Sequence, residues 1–186
     1  MAYRIHLILF ILAVSGFALT EGNYFGGGIS SVNLNSDHPS VNDQSSTGYY
    51  LLTGSKTESW GIEATVTGGP SFDTGPTPGI NYPEDKAEYG ILDLGFRVYF
   101  HPENHVKLSP WIGAGLGLHF IDWETFFYRI DGYGYSITGG IDYELEPNWL
   151  VRGGAVYHDF TSDDAYGYDS YDGTTKQLNL ILIYLF

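Results

Sequence analysis

The run VKLSPWIGAGLGLHFID alternates with a period of two over its whole length. Val106, Leu108, Pro110, Ile112, Ala114, Leu116, Leu118 and Phe120 fall on one parity. Lys107, Ser109, Trp111, Gly113, Gly115, Gly117 and His119 fall on the other. Successive side chains of a strand point to opposite faces, so this pattern predicts a strand with one apolar and one small or polar face. Pro110 cannot donate to a ladder, which places it at a bulge or at the true start of the strand.

The pattern recurs. Leu92, Leu94, Phe96, Val98 and Phe100 oppose Asp93, Gly95, Arg97 and Tyr99. Tyr133, Tyr135, Ile137, Ile141, Tyr143 and Leu145 oppose Ser136, Thr138, Gly140, Asp142 and Glu144. Trp149, Val151, Ala155 and Tyr157 oppose Arg152, Gly154 and His158, and Trp60, Ile62, Ala64 and Val66 oppose Gly61, Glu63 and Thr65. NYFGGGISSVNL and STGYYLLTG add two strands whose faces the sequence leaves ambiguous, and the final QLNLILIYLF makes eight. The connections alternate strictly between long and short. The expected architecture is therefore all-β: an eight-stranded antiparallel up-and-down barrel, with tight turns and both termini at one end.

The chain has 8 basic and 22 acidic residues, a formal net charge of -14. Duplex nucleic acid is excluded as a partner, because phosphate binding needs a basic footprint. With no cysteine, disulfide staples, thiolate metal sites and a cysteine nucleophile are excluded. At the N-terminus, Arg4 precedes an apolar run from Ile5 to Val14, with small residues at Gly16 and Ala18. Residues 1–20 read as a secretory signal peptide cleaved near 18–20, and residues 21–186 as the barrel domain. The apolar run is too short to span a bilayer as a helix.

Which face is wet decides the class. Glu63, Asp93, Arg97, Lys107, Asp142, Glu144 and Arg152 share the polar parity and are expected to form an interior polar cluster. Trp60, Phe100, Trp149, Tyr184 and Phe186 fall near the short-turn end of the apolar faces. Phe120, Tyr133, Tyr135 and Tyr157 fall near the long-loop end. Two aromatic bands match the interfacial girdles of a transmembrane barrel. A soluble ligand-binding barrel, the alternative, would place the apolar residues inside.

With these features the chain resembles the small eight-stranded bacterial outer-membrane barrels of the OmpA and OmpX type. The sharpest local likeness is LNLILIYLF, with Phe186 at the end, Tyr184 two places earlier, and Leu182, Leu180 and Leu178 before them. The resemblance implies that these five residues are the signal read by the barrel assembly machinery. It implies residence in the outer membrane of a Gram-negative bacterium, in contact with lipopolysaccharide, with both termini periplasmic. It also implies the compact OmpX-like form, without the peptidoglycan-binding domain of OmpA.

For function, the expectation is an envelope-structural or surface-interaction role through acidic extracellular loops, with a plugged polar interior, no cofactor, no metal and no catalytic residue. Asp163, Asp164, Tyr166, Tyr168, Asp169, Tyr171 and Asp172 are the recognition candidates, for a host, phage or glycan partner the sequence does not name. Two alternatives stay open. The interior charges could line a narrow pore, and His158 with Ser162 and nearby aspartates could serve a lipid A-modifying enzyme. Against the enzyme, Phe160 stands where a lipid A deacylase carries its serine, two places after the histidine.

Overall fold

A computed structural model describes residues 22–37, 44–74, 85–100, 107–123, 129–163 and 170–186. Eight strands pair in sequence order and close on themselves: β1 (Asn23–Ser36), β2 (Gln44–Lys56), β3 (Trp60–Thr74), β4 (Asp85–Tyr99), β5 (Leu108–Trp123), β6 (Arg129–Glu146), β7 (Trp149–Asp163) and β8 (Ser170–Leu185). Every pairing is antiparallel, including the β1–β8 seam. At the seam, Phe186 N–H donates to Asn23 O at 2.9 Å and Asn23 N–H to Phe186 O at 3.3 Å. Both described chain ends therefore lie at the short-turn end. The fold is the one the alternation predicts.

The ladder fixes the size of the ring. Partners followed from Ser170 through Asp163, Asp131, Phe120, Gly90, Gly68, Tyr49 and Ile29 return to β8 at Leu180, a stagger of 180 − 170 = 10 residues. Eight strands with that stagger tilt by about 40° to the axis, which leaves an interior just wide enough for side chains.

The burial pattern is inverted relative to a soluble barrel. Leu116 is 73% exposed and Leu178 68% exposed on the outside, whereas Arg152 is 2% exposed inside. An apolar surface that circles the whole barrel is far larger than a soluble monomer shows. Its short-turn edge carries Trp60, Phe100, Tyr143, Trp149, Tyr184 and Phe186, with the Trp149 and Tyr184 rings 5.0 Å apart. Its long-loop edge carries Tyr49, Phe120, Tyr133, Tyr135 and Tyr157.

The strands have 14, 13, 15, 15, 16, 18, 15 and 16 residues. A membrane crossing needs about ten. The excess stands above the apolar belt as a rim at the long-loop end, so β7 and β8 continue into sequence that reads as loop. Asp163, Tyr171 and Asp172 are ladder residues, paired as Asp163 with Ser170, Ser162 with Tyr171 and Thr161 with Asp172.

The β3–β4 register shifts between Gly68 and Ser71, and Gly69 has φ 85° there. This left-handed conformation suits glycine because a Cβ would crowd the carbonyl. The bulge inverts parity: below it Glu63 and Thr65 face inward, above it Phe72 does.

Candidate functional site

The interior is filled in three tiers. Near the short-turn end, two arginines and two carboxylates form a closed network. Glu63 is fully buried on β3 and takes ion pairs from Arg97 of β4 and Arg152 of β7. Arg152 also grips Asp142 of β6, with Nε 2.6 Å from Oδ1 and Nη2 2.8 Å from Oδ2. Tyr24 OH donates to Glu63 at 2.9 Å, Trp111 Nε1–H to Asp142 at 3.0 Å, and Arg152 Nη2 to Tyr99 OH at 3.2 Å. The formal charges cancel, two positive against two negative. That is what burial demands, because an uncompensated buried charge costs several kcal/mol.

The Trp111 indole is clasped between the arginines, with the Arg97 guanidinium 4.2 Å and that of Arg152 4.9 Å from its ring. Cations favour an aromatic face. Gly140 makes room for this ring: a Cβ there would come within 2.6 Å of it. Inward glycines thus serve as recesses for large neighbours.

The middle tier is polar, and Asp93 and His158 are its titratable pair. Asp93 Oδ2 lies 3.0 Å from His158 Nε2, and His158 Nδ1 lies 3.1 Å from Thr175 Oγ1. Gly115 lets Asp93 lean across β5, since a Cβ there would stand 2.5 Å from Asp93 Oδ1. Tyr50, Thr65, Thr138 and Gln177 complete this tier around a cavity of about 10 Å³, room for about one water.

The top tier is apolar. Val32, Leu34, Phe72, Ala87, Tyr89, Ile91, Ile121 and Phe160 form a buried cluster inside the barrel. His119 joins it, with its ring stacked 4.2 Å from Phe160 and its Nδ1 2.6 Å from Tyr89 OH. A wholly polar interior was expected; this tier corrects that. A smaller apolar group, Tyr24, Tyr50, Leu52, Leu150, Ile181 and Ile183, also faces inward below.

Of the expected interior cluster, Glu63, Arg97, Asp142 and Arg152 are brought together, and Asp93 sits one tier higher with His158. Lys107 and Glu144 do not belong to it. Both are exposed at the short-turn end, where Glu144 N–H donates to Lys107 O at 2.8 Å. They keep the inward parity but lie beyond the filled section of the barrel. Tyr24, Tyr99, Trp111 and Thr175 were not singled out in the sequence, although Tyr99 and Trp111 share the polar parity with the charged residues.

The terminal Leu178, Leu180, Leu182, Tyr184 and Phe186 all point outward and are exposed. Of the recognition candidates, Asp163 Oδ1 accepts from Ser170 Oγ at 2.7 Å and Asp172 Oδ1 from Thr161 Oγ1 at 2.9 Å. Asp164, Tyr166, Tyr168 and Asp169 lie outside the described residues, as does the expected signal peptide. Ser162 is not a partner of His158; its hydroxyl donates to Tyr171 O at 3.2 Å. Among the described residues, no three His, Asp or Glu side chains converge as metal ligands.

The model of the outer membrane protein beta-barrel domain family matches residues 6–185. The chain belongs to this family. That makes it an outer-membrane β-barrel protein of the Gram-negative type. Among solved structures, Neisserial surface protein A has a TM-score of 0.69 at 12% identity, over 88% of this chain and 97% of its own. OprG from Pseudomonas aeruginosa scores 0.63 at 16% identity, over 89% and 96%. Ail, the attachment invasion locus protein of Yersinia pestis, solved with the heparin analogue sucrose octasulfate, scores 0.52 at 13% identity, over 89% and 100%. At these identities the likeness is one of fold. No curated protein matches in sequence.

Proposed function

We propose that this outer-membrane barrel is sealed and non-enzymatic, sits with both ends in the periplasm, and acts through its wall and its external rim. The three-tiered interior carries this reading. A charge-neutral network, a polar tier with room for about one water, and an apolar cluster follow one another along the axis. An ion path would have to breach all three. His158 is held by Asp93 and Thr175 inside this packing, away from any lipid substrate.

The rim supports surface interaction as the role. Asp122, Asp131, Asp163 and Asp172 are exposed there, above the aromatic edge. An acidic rim suits a cationic or neutral partner and fits poorly to a polyanion of the kind bound in the Ail structure.

Reconstitution in planar bilayers tests the seal: no single-channel steps are expected, and nanosiemens conductance would overturn it. Mass spectrometry of lipid A from cells with and without the protein tests the absence of catalysis. Identical acylation is expected, and a lost or gained acyl chain would overturn that part.

A further inference from the structure

The lipid-facing wall is not uniformly filled. Two neighbouring outward rows run around β6, β7, β8, β1 and β2. One reads Gly139, Ala155, Leu178, Ser31 and Thr47; the next reads Ile137, Tyr157, Lys176, Asn33 and Ser45. Between them lies a shallow groove of about 730 Å³. Gly139 and Ala155 are direct ladder partners, and they leave a dent bordered by Ile137, Tyr157 and Leu178. At its other end the groove turns polar, where Asn33 Nδ2 donates to Ser45 Oγ at 3.0 Å.

Lys176 stands where the character changes. Below it on β8 the outward residues are Leu178, Leu180, Leu182 and Tyr184; above it are Thr174 and Asp172. That is the edge of the apolar belt, where an ammonium reaches the headgroup layer while its stem stays on apolar surface. Lys176 is exposed and has no carboxylate partner among the described residues. Two carboxylates of β7 and β8 on the outward parity have hydroxyl donors: Asp159 accepts from Tyr135 OH at 2.9 Å, and Asp172 from Thr161 Oγ1 at 2.9 Å.

We infer that this groove holds one phosphorylated, acylated lipid of the outer leaflet, of the lipid A class. An acyl chain lies along Gly139 and Ala155, and a phosphate meets the Lys176 ammonium beside Asn33 and Ser45. Charge complementarity selects the ligand. In a chain of net charge -14, an anionic headgroup is repelled by the acidic rim and accepted at this cation. The volume is that of a small-molecule site, roughly 300–1,000 Å³, and its amphipathic grading matches a lipid rather than a wholly polar solute.

Native mass spectrometry of the full chain, refolded in detergent, tests this with bis-phosphorylated lipid A as the probe. A one-to-one adduct is expected, which dephosphorylated lipid A and phosphatidylethanolamine do not form. Lys176→Gln and Ala155→Phe should each reduce the adduct about tenfold, the loss of one charged contact or of the chain's seat. Leu182→Phe, on the same strand but outside the groove, should leave it unchanged. Heat-modifiable gel mobility checks that each variant is folded, and the exposed Lys176→Gln serves if Ala155→Phe is not. Equal adducts in parent and Lys176→Gln, equal binding of the unphosphorylated lipids, or displacement by millimolar inorganic phosphate would overturn the assignment. So would loss of a protein dimer, in place of a lipid adduct, on Ala155→Phe. None of these results bears on the sealed interior.

Discussion

Arg152 and Asp142 face each other as direct partners in the β6–β7 ladder and meet side-on, through contacts of 2.6 and 2.8 Å. The planar fork of an arginine fits a carboxylate in this way, and a lysine cannot. Because Arg152 also holds Glu63, it links three strands across the lumen.

Replacing Arg152 by Met should therefore lower stability by about 3–5 kcal/mol, since Asp142 loses its cation and Glu63 keeps only Arg97. Urea unfolding in lipid vesicles gives the value. Adding Asp142→Asn removes the stranded carboxylate and should recover part of the loss; strictly additive effects would show that the two residues are not coupled.

Trp111→Phe keeps an aromatic ring between the arginines but deletes the N–H that Asp142 accepts. A loss of about 1.5–3 kcal/mol is expected from the hydrogen bond to a charged acceptor that disappears, although Asp142 Oδ1 keeps Arg152 Nε at 2.6 Å. Unfolding followed by circular dichroism measures it, and an unchanged midpoint would mean that the indole only fills space.

Phe160→Ala opens the top tier, where the ring packs on His119 and lies 6.3 Å from Tyr89. The cavity should cost about 3–5 kcal/mol. Conductance should stay absent, because the salt-bridge tier beneath is intact; new channel steps would locate the seal in Phe160 alone.

Gly69→Val forces a β-branched residue into φ 85°. A loss of about 1–2 kcal/mol is expected, larger than for Val at the extended Gly153, where a Cβ meets open space. Parallel urea titrations compare the two.

Deleting Phe186 should reduce the assembled barrel in cells more than it changes the stability of refolded protein. Its side chain is 66% exposed, so refolded protein loses little packing. Heat-modifiable protein in outer-membrane fractions, set against urea midpoints, separates the two effects. Unaffected assembly would reduce this residue to a packing role.

The strands of the lower barrel are legible because lipid on one side and a filled lumen on the other impose a period of two at every step. Leu116 and His119, or Leu94 and Arg97, follow it without exception. Three features escape that rule. The bulge at Gly69 inverts parity, so Phe72 looks outward to anyone counting from Glu63. The rim strands have water outside and need no apolar face, so Asp163 and Asp172 read as loop. The apolar top tier breaks the expectation that inward means polar: Ile91 and Ile121 sit beside lipid-facing Leu92 and Phe120, and alternation gives no contrast there. For the charged network, the residue types and their common face could be read. Its membership could not, because Lys107 and Glu144 share that face but lie past the filled section.

The seam has a kinetic consequence. Tyr24 pairs with Leu185, 185 − 24 = 161 positions away, whereas every other ladder joins neighbours in sequence. Hairpins can form early because their loops close cheaply, but this last pairing carries the largest loop-closure entropy in the molecule. Until it forms, β1 and β8 both present unpaired backbone, which hydrocarbon does not tolerate. Closing of the β1–β8 ladder is thus what leaves the barrel without a strand edge in the membrane, and it carries the largest chain-closure cost of the eight pairings.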